Sequence, residues 1–259
     1  MKIAYYHVDA FTDKPFAGNP AGVCPLDAWL PDATLQMIAA ENNLSETAFF
    51  VPAGDHYNLR WFTPAIEVDL CGHATLASGY VLTHHLGYKG DLIRFESKSG
   101  TLLVERQGNI LTLDFPSRPG DKKAAPEALL KGLGKTPQEV YLARDYLAVF
   151  LNQADILEIQ PDQEQLALLE CLGIIITAPG NGVDFVSRFF APRAGIPEDP
   201  VTGSSHCTLI PYWAERLGKT HMTARQLSSR GGELFCSLDG ERVKIGGHAM
   251  TYMKGELDV

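Results

Sequence analysis

Two glycine-containing turns are the segments of this sequence best suited to bind an anion. One runs from Asp69 to Ala77 and the other from Pro200 to Cys207. Each places a glycine, Gly72 or Gly203, where a helix is expected to begin, and a helix N-terminus offers unpaired N–H groups and partial positive charge. Glycine, Ser and Thr are ordinary at helix starts, so one such turn alone would be a simple cap. Two turns at equivalent positions favour a carboxylate site in a cleft between two domains.

Glu46, His73 and Asp199 are the candidates for acid–base chemistry. Glu46 lies among apolar residues, and partial burial there would raise its pKa toward neutrality, as a general base requires. The alternative is a solvated glutamate at the end of a helix. His73 is either a second acid–base group and hydrogen-bond donor or a polar residue of a first helical turn. Asp199 has no counterpart carboxylate in the first half of the chain, where the equivalent residue is Val68.

Other nucleophile and metal patterns are weak. Ser204 and Ser205 adjoin His206, but neighbouring residues of a helix do not face each other, so a serine–histidine pair is not expected. The sequence contains no HExxH, no CxxC and no Gly-rich phosphate loop. We therefore predict no metal site and no nucleotide cofactor.

An internal repeat organises the chain. Arg60–Pro64 is echoed by Arg188–Pro192, and a glutamate, Glu67 or Glu198, precedes each helix glycine by five residues. Later segments also match, including the hairpin signals Gln107-Gly108 and Asp239-Gly240. A repeat of this length indicates two similar domains.

Each half reads as a strand, a helix, two strands, a turn, a second helix and a strand hairpin. Helices are predicted near Asp32–Asn42 and Asp162–Leu172, because a proline precedes an acidic residue at each start. Buried strands are predicted at Thr47–Val51 and Ile174–Ala178. The predicted fold class is α+β, with domains at residues 1–117 and 118–247 and a tail, 248–259, that returns to the first domain.

Composition narrows the class of protein. The 259 residues carry a net charge of −9, which argues against nucleic acid or an anionic membrane as partner. The five cysteines are odd in number and form no close pair, which fits a reducing cytoplasm better than a disulfide framework. No signal peptide or membrane-spanning stretch is expected.

Four segments together resemble the PhzF family, the phenazine-biosynthesis-like isomerases that share the diaminopimelate epimerase fold. Each of these segments is weak alone, but in combination they are specific and extend through nearly the whole chain: Phe16–Val23, Leu44–Phe49, Phe62–Thr75 and Glu198–Ser204.

The resemblance implies two pseudo-symmetric domains, each a curved, mostly antiparallel sheet around a central helix. It implies a cofactor-independent isomerase that moves a proton on a small carboxylate-bearing metabolite, and a homodimer. By motif, Glu46 is similar to the family's catalytic acid/base, with His73 and Asp199 as its polar partners. Gly72, Gly203 and Ser204 are similar to its carboxylate-binding helix starts.

Two other classes of function remain open from the sequence. A racemase or epimerase could use Cys71, but related epimerases use a thiol from each half, and Thr202 stands where the second would be. Cys71 is therefore expected to be a turn residue, and Cys207 to pack as a small apolar residue. The other class is a non-catalytic binding protein that retains the cleft, which is disfavoured because Glu46, His73 and Asp199 are all present.

Overall fold

The computed structural model describes all residues of the chain, 1–259, as two compact units. Unit 1 comprises Met1–Asp114 and Gly246–Val259, and unit 2 comprises Phe115–Ile245. Unit 1 is thus built from the two ends of the chain, and unit 2 is a single internal segment.

Unit 1 contains two helices and a mixed sheet. Its helices are α1 (Asp32–Asn42) and α2 (Gly72–His84). Its strands are β1 (Lys2–Ala10), β2 (Asn19–Pro25), β3 (Glu46–Ala53), β4 (His56–Phe62), β5 (Glu67–Val68), β6 (Leu92–Ser97), β7 (Gly100–Gln107), β8 (Ile110–Pro116) and β17 (Ala249–Asp258), of which β8 runs past the unit boundary.

Strand pairing in unit 1 places the start of β3 beside β2. β1 pairs antiparallel with both β2 and β17, and β2 pairs parallel with β3, so that Ala21 lies level with Glu46. β4 is antiparallel to β3 and parallel to β6, and β6 to β8 form an antiparallel meander. The sheet is therefore mixed, with two parallel pairings among mostly antiparallel ones.

Helix α2 is the centre of unit 1. It contacts β1, β2, β3, β7 and β17, and residues on every side of it are buried. A helix that is apolar all round belongs inside a core rather than on a surface. Helix α1 packs on the outer face of the sheet through Leu35, Ile38 and Ala39, where it meets Phe49 and Phe62.

Unit 2 contains four α-helices and eight strands with mixed pairing. Its helices are α3 (Glu127–Leu133), α4 (Gln153–Glu158), α5 (Gln163–Leu166) and α6 (Gly203–Leu217). Its strands are β9 (Asp121–Lys122), β10 (Glu139–Leu142), β11 (Tyr146–Val149), β12 (Ile174–Pro179), β13 (Phe185–Phe190), β14 (His221–Gln226), β15 (Gly232–Asp239) and β16 (Arg242–Gly247), the last crossing into unit 1.

The pairing order of unit 1 recurs in unit 2. β10 is antiparallel to β11, β11 is parallel to β12, β12 is antiparallel to β13, and β13 is parallel to β14, which pairs antiparallel with β15. Helix α6 is buried like α2 and lies where the repeat predicts, after the turn at Gly203. The predicted α+β fold with a central helix in each half is confirmed, and the repeat is one of topology as well as sequence.

One predicted helix is too long. α1 has the predicted bounds, but α5 ends at Leu166 rather than Leu172. Beyond it the N–H groups of Leu168 and Leu169 donate to carbonyls three residues back, and Arg193 Nη1 donates to the Leu169 carbonyl at 3.1 Å. Tight turns therefore replace the helical hydrogen bonds.

The repeated Arg and Glu residues form the same ion pair in each unit. Arg60 meets Glu67 with two hydrogen bonds of 2.7 and 2.9 Å, and Arg188 meets Glu198 with two of 2.7 and 3.0 Å. The Arg60 guanidinium lowers the pKa of Glu67 to about 2. Each pair ties a core strand to the turn before the central helix, and bidentate geometry fixes that turn in orientation as well as position.

We expect Arg188→Met to destabilise the protein by about 3–5 kcal/mol, because the Arg188 side chain is only 10% exposed and its loss leaves Glu198 unpaired. It also leaves the carbonyls of Ile156 and Ile159 without their donor. Urea unfolding at neutral pH measures the change. The matched control is Arg225→Met, whose pair with Glu233 is 49% and 43% exposed and should matter by about 0–1 kcal/mol. Equal effects of the two substitutions would contradict a structural role for the buried pair.

Candidate functional site

Glu46 begins β3 and is largely shielded from water. It follows the short connection after α1, whose C-cap residue, Asn43, has a left-handed backbone conformation. Its side chain is 15% exposed, and its Oε2 lies 3.2 Å from Nε2 of His73. The solvated glutamate that the sequence left open is therefore not what the structure contains.

Cys71 and His73 flank the first residue of α2. Cys71 is the N-cap residue, in an extended conformation and without a side-chain capping bond. Its Sγ lies 3.5 Å from His73 Nδ1 and 4.0 Å from Nε2. Gly72 between them is the first helical residue and is partly exposed. The turn thus presents a thiol and an imidazole beside the Glu46 carboxylate.

Burial and neighbouring donors define the form of His73. Desolvation lowers its pKa to about 4, so the ring is neutral at pH 7. Asn19 Nδ2 lies 3.3 Å from Nδ1 and donates to it, and the Cys71 thiol is a second donor on that side. With Nδ1 as the acceptor, the single ring proton sits on Nε2, which lies 3.2 Å from Glu46 Oε2. The pair is a neutral imidazole in contact with a carboxylate.

These three side chains also form the group best able to hold a metal ion. One ligand atom each from Glu46, Cys71 and His73 lie within 4.8 Å of one another. Sulfur, imidazole nitrogen and carboxylate oxygen are the ligand types of Zn²⁺ sites.

In unit 2, Asp199 and the start of α6 form a second polar cluster. Thr202, the N-cap residue, donates its hydroxyl to Asp199 Oδ2 at 2.5 Å. The fully buried Gln226 accepts from the Thr202 N–H at 2.9 Å and donates to the Asp199 carbonyl at 2.7 Å. One side chain therefore holds both ends of the turn that carries the aspartate.

Ser204 lies beside a positive charge. Arg144 Nη2 donates to its hydroxyl at 2.9 Å and also pairs with the buried Asp145 at 2.8 Å. Gly203 is buried and opens the helix. Ser204 occupies in unit 2 the position that His73 occupies in unit 1, two residues after the N-cap.

His206 is a structural residue. Its Nδ1 lies 2.8 Å from the Thr202 carbonyl and so donates to it, and burial lowers its pKa to about 4. Ser205 donates to the same carbonyl at 2.8 Å. Thr75 makes the equivalent bond in unit 1, to the Cys71 carbonyl at 2.6 Å. Ser205 Oγ and His206 Nδ1 lie 3.3 Å apart, but both donate to the Thr202 carbonyl, so the histidine does not accept the serine proton.

The structure thus groups Glu46, His73 and Gly72 in unit 1, and Asp199, Gly203 and Ser204 in unit 2. Cys71 belongs to the first group, and it is also a residue of the turn before α2, as expected. Cys207 is buried in α6, and burial raises its thiol pKa to about 11.

Three contributing residues escaped sequence reasoning. Asn19 is separated from His73 by 54 residues, and Gln226 and Arg144 are similarly remote from the residues they contact. Asn19 had a signal, because it begins the apolar strand β2 and lies in the Phe16–Val23 segment of the resemblance. Gln226 ends the largely polar strand β14, where nothing in the sequence marks it as buried. Neither position indicates from sequence which residue it contacts.

Comparison with known proteins supplies the family. A family model described as phenazine biosynthesis-like protein, PhzC-PhzF, matches residues 8–255. The chain belongs to the PhzC-PhzF family. It is 52% identical to an uncharacterized isomerase of Pseudomonas aeruginosa, over 99% of each chain. It is similar to the crystal structure of a PhzF-family phenazine biosynthesis protein from Enterococcus faecalis, with a TM-score of 0.99, 46% identity and 100% of both chains covered.

Membership of the PhzC-PhzF family confirms the resemblance and supports an isomerase-type function at the level of the family. A more remote structure, a Pseudomonas aeruginosa protein titled as an epimerase, has a TM-score of 0.73 at 18% identity over 98% of this chain and 99% of its own, and shows the shared fold. No helix of the chain is long and apolar enough to cross a membrane.

Acid destabilisation is expected from the buried imidazoles. A histidine whose folded pKa is lowered from 6.5 to about 4 contributes stability that is complete above pH 6.5 and is lost as the pH falls toward 4, because only the unfolded chain takes up the proton readily. His206→Asn should therefore reduce the slope of unfolding free energy against pH between about 6.5 and 4, measured by urea titration. The exposed His221→Asn is the control. An unchanged slope in His206→Asn would show that His206 does not cause the acid destabilisation.

Proposed function

We propose that the protein is a cofactor-independent isomerase that moves a proton between two carbons of a small carboxylate-bearing metabolite. Glu46 removes the proton as a carboxylate base and returns it as the conjugate acid. No electrons are exchanged with another molecule, since one proton leaves the first carbon and one proton joins the second. While Glu46 carries the proton, that proton can exchange with water. The observation that carries the proposal is the contact of the shielded Glu46 with neutral His73.

The pairing of Glu46 with a neutral donor supports a role as base. A charged histidine would hold the carboxylate in its ionised form and weaken it as a base. The neutral Nε2–H orients one carboxylate oxygen without a full positive charge beside it. The same N–H can donate a hydrogen bond to the carboxylate during the reaction, or to the substrate oxygen on which negative charge develops.

The helix starts supply the proposed carboxylate recognition. Gly72 and Gly203 are first residues of long central helices, so their N–H groups have no partner within the helix and carry the positive end of the dipole. Ser204 adds a hydroxyl oriented by Arg144. We assign Asp199 to the same reaction as a polar partner, held in place by Thr202 and Gln226.

The wild-type chain should catalyse the entry of deuterium from heavy water into carbon of at least one member of a panel of small cyclic and amino carboxylic acids. Glu46→Gln should lower that exchange by about 10²–10⁴-fold. Gln retains the size of Glu and an oxygen that can lie beside His73 Nε2, so the change removes the base but not the packing. Mass spectrometry of the recovered acid measures the exchange.

Glu41→Gln is the matched control, because Glu41 is an exposed glutamate of α1, and it should exchange like the wild type. Asp199→Asn in the same assay tests the role of Asp199 as a polar partner in the reaction and should also lower the exchange. The exposed Asp239→Asn is its control. Full exchange by Glu46→Gln would rule out this residue as the base. Tight binding of an acid without exchange in any variant would favour a binding protein.

An epimerase that uses the Cys71 thiol is the second candidate, and one observation favours it. Cys71 Sγ lies 3.5 Å from His73, close enough for proton transfer. In that case Cys71→Ser should abolish exchange while Glu46→Gln retains much of it, and substrate should protect the thiol from alkylation. We expect instead that Glu46→Gln loses more of the deuterium exchange than Cys71→Ser does. Thr202 occupies the position in unit 2 that is equivalent to Cys71 and supplies no second thiol. Exchange at the α-carbon with inversion, lost in Cys71→Ser alone, would establish the alternative.

A further inference from the structure

We propose that Glu46, Cys71 and His73 form a binding site for a thiophilic divalent cation of the Zn²⁺ type. The site lies wholly within unit 1, on the start of β3 and the first turn of α2. It brings together three different ligand types, which separates it from the acidic clusters common on protein surfaces.

The spacing of the ligand atoms fits tetrahedral coordination. Zn²⁺ binds sulfur at about 2.3 Å and nitrogen or oxygen at about 2.0–2.2 Å, which sets the ligand–ligand edges at about 3.3–3.6 Å. Glu46 Oε2 to His73 Nε2 measures 3.2 Å, and Cys71 Sγ to the same nitrogen measures 4.0 Å. The sulfur lies closer to Nδ1, at 3.5 Å, so the Cys71 side chain must rotate toward Nε2 for the three ligand atoms to share one ion.

Charge and access also agree with a cation. On binding, the thiol releases its proton to solvent, and thiolate and carboxylate together balance the dication. The positive end of α2 opposes a bare cation but favours the thiolate, so the neutral assembly carries little net penalty. Glu46 keeps 15% of its side chain exposed, whereas its Oε2 is buried, so the ion enters as the exposed part of this side chain moves aside.

Coordination through His73 Nε2 moves the ring proton to Nδ1, opposite Asn19. The Asn19 amide must then turn so that its oxygen accepts from Nδ1–H. By accepting from Nδ1–H, Asn19 would fix the orientation of the His73 ring, as hydrogen-bond partners of metal-bound histidines do. Asn19→Leu should weaken metal binding about 10–100-fold.

Occupation of this site would take the carboxylate of Glu46 away from the substrate. Inhibition of isomerisation is the functional consequence, and this part of the inference rests on the proposed function. The binding itself does not, and the two are measured separately.

Cobalt is the direct probe, because Co²⁺ bound to a thiolate gives a charge-transfer absorption in the near ultraviolet and strong visible bands when tetrahedral. The metal-free full-length chain should bind one Co²⁺ with both features, and Zn²⁺ should displace it. Cys71→Ala should lose the thiolate band, and Glu46→Gln the tetrahedral pattern. Cys207→Ala, which removes another buried thiol, should retain both.

A measurement on the unaltered chain guards against misfolded variants. Zn²⁺ should protect Cys71 from alkylation, as read by peptide mass mapping, and a chelator should restore its reactivity. Absence of a thiolate band, its persistence in Cys71→Ala, or alkylation of Cys71 unaffected by Zn²⁺ would each overturn the site. Cobalt binding with full exchange by Glu46→Gln would leave the metal site and remove only the proposed catalytic role.

Discussion

Burial of most of the two central helices is the constraint on which the rest of the structure depends. A polar side chain on a buried helix face cannot use water as its hydrogen-bond partner. Thr75 and Ser78 therefore donate their hydroxyls to carbonyls of the preceding turn of α2, and His206 and Ser205 do the same at the start of α6. The N–H groups of Gly72 and Gly203 have no acceptor within their own helices.

Equivalent scaffolds carry different chemistry. The N-cap is Cys71 in unit 1 and Thr202 in unit 2, and two residues later stand His73 and Ser204. The Arg–Glu pairs that fix the turns are the same in both units, whereas the titratable groups differ. The two units therefore share their packing and their Arg–Glu ion pairs, and they differ in the side chains at the starts of their central helices.

Sequence reasoning predicted the elements whose signals are local. Helix α1 has the expected bounds and strand β12 begins at the expected residue, because proline, acidic and apolar residues mark them within a few positions. α5 is shorter than expected because the chain tightens after Leu166 into turns with hydrogen bonds to carbonyls three residues back. The repeat identified Arg60 and Glu67 as a pattern, but their pairing required the fold. The same holds for Asn19 and Gln226, whose partners are set by strand register and not by spacing. The placement of Glu46 beside His73 follows from parallel pairing of β2 and β3 together with the α2 turn, a combination no local pattern encodes.

The pairing of β17 with β1 has a consequence for how the protein is made. Unit 1 needs residues 249–258 to complete its sheet, whereas unit 2 is continuous and contains its own core. On the ribosome, unit 2 is therefore fully synthesised while unit 1 still exposes the edge of β1. An unpaired strand edge is a template for association with other chains. The synthesis and pairing of β17 therefore end the exposure of that edge in the nascent polypeptide.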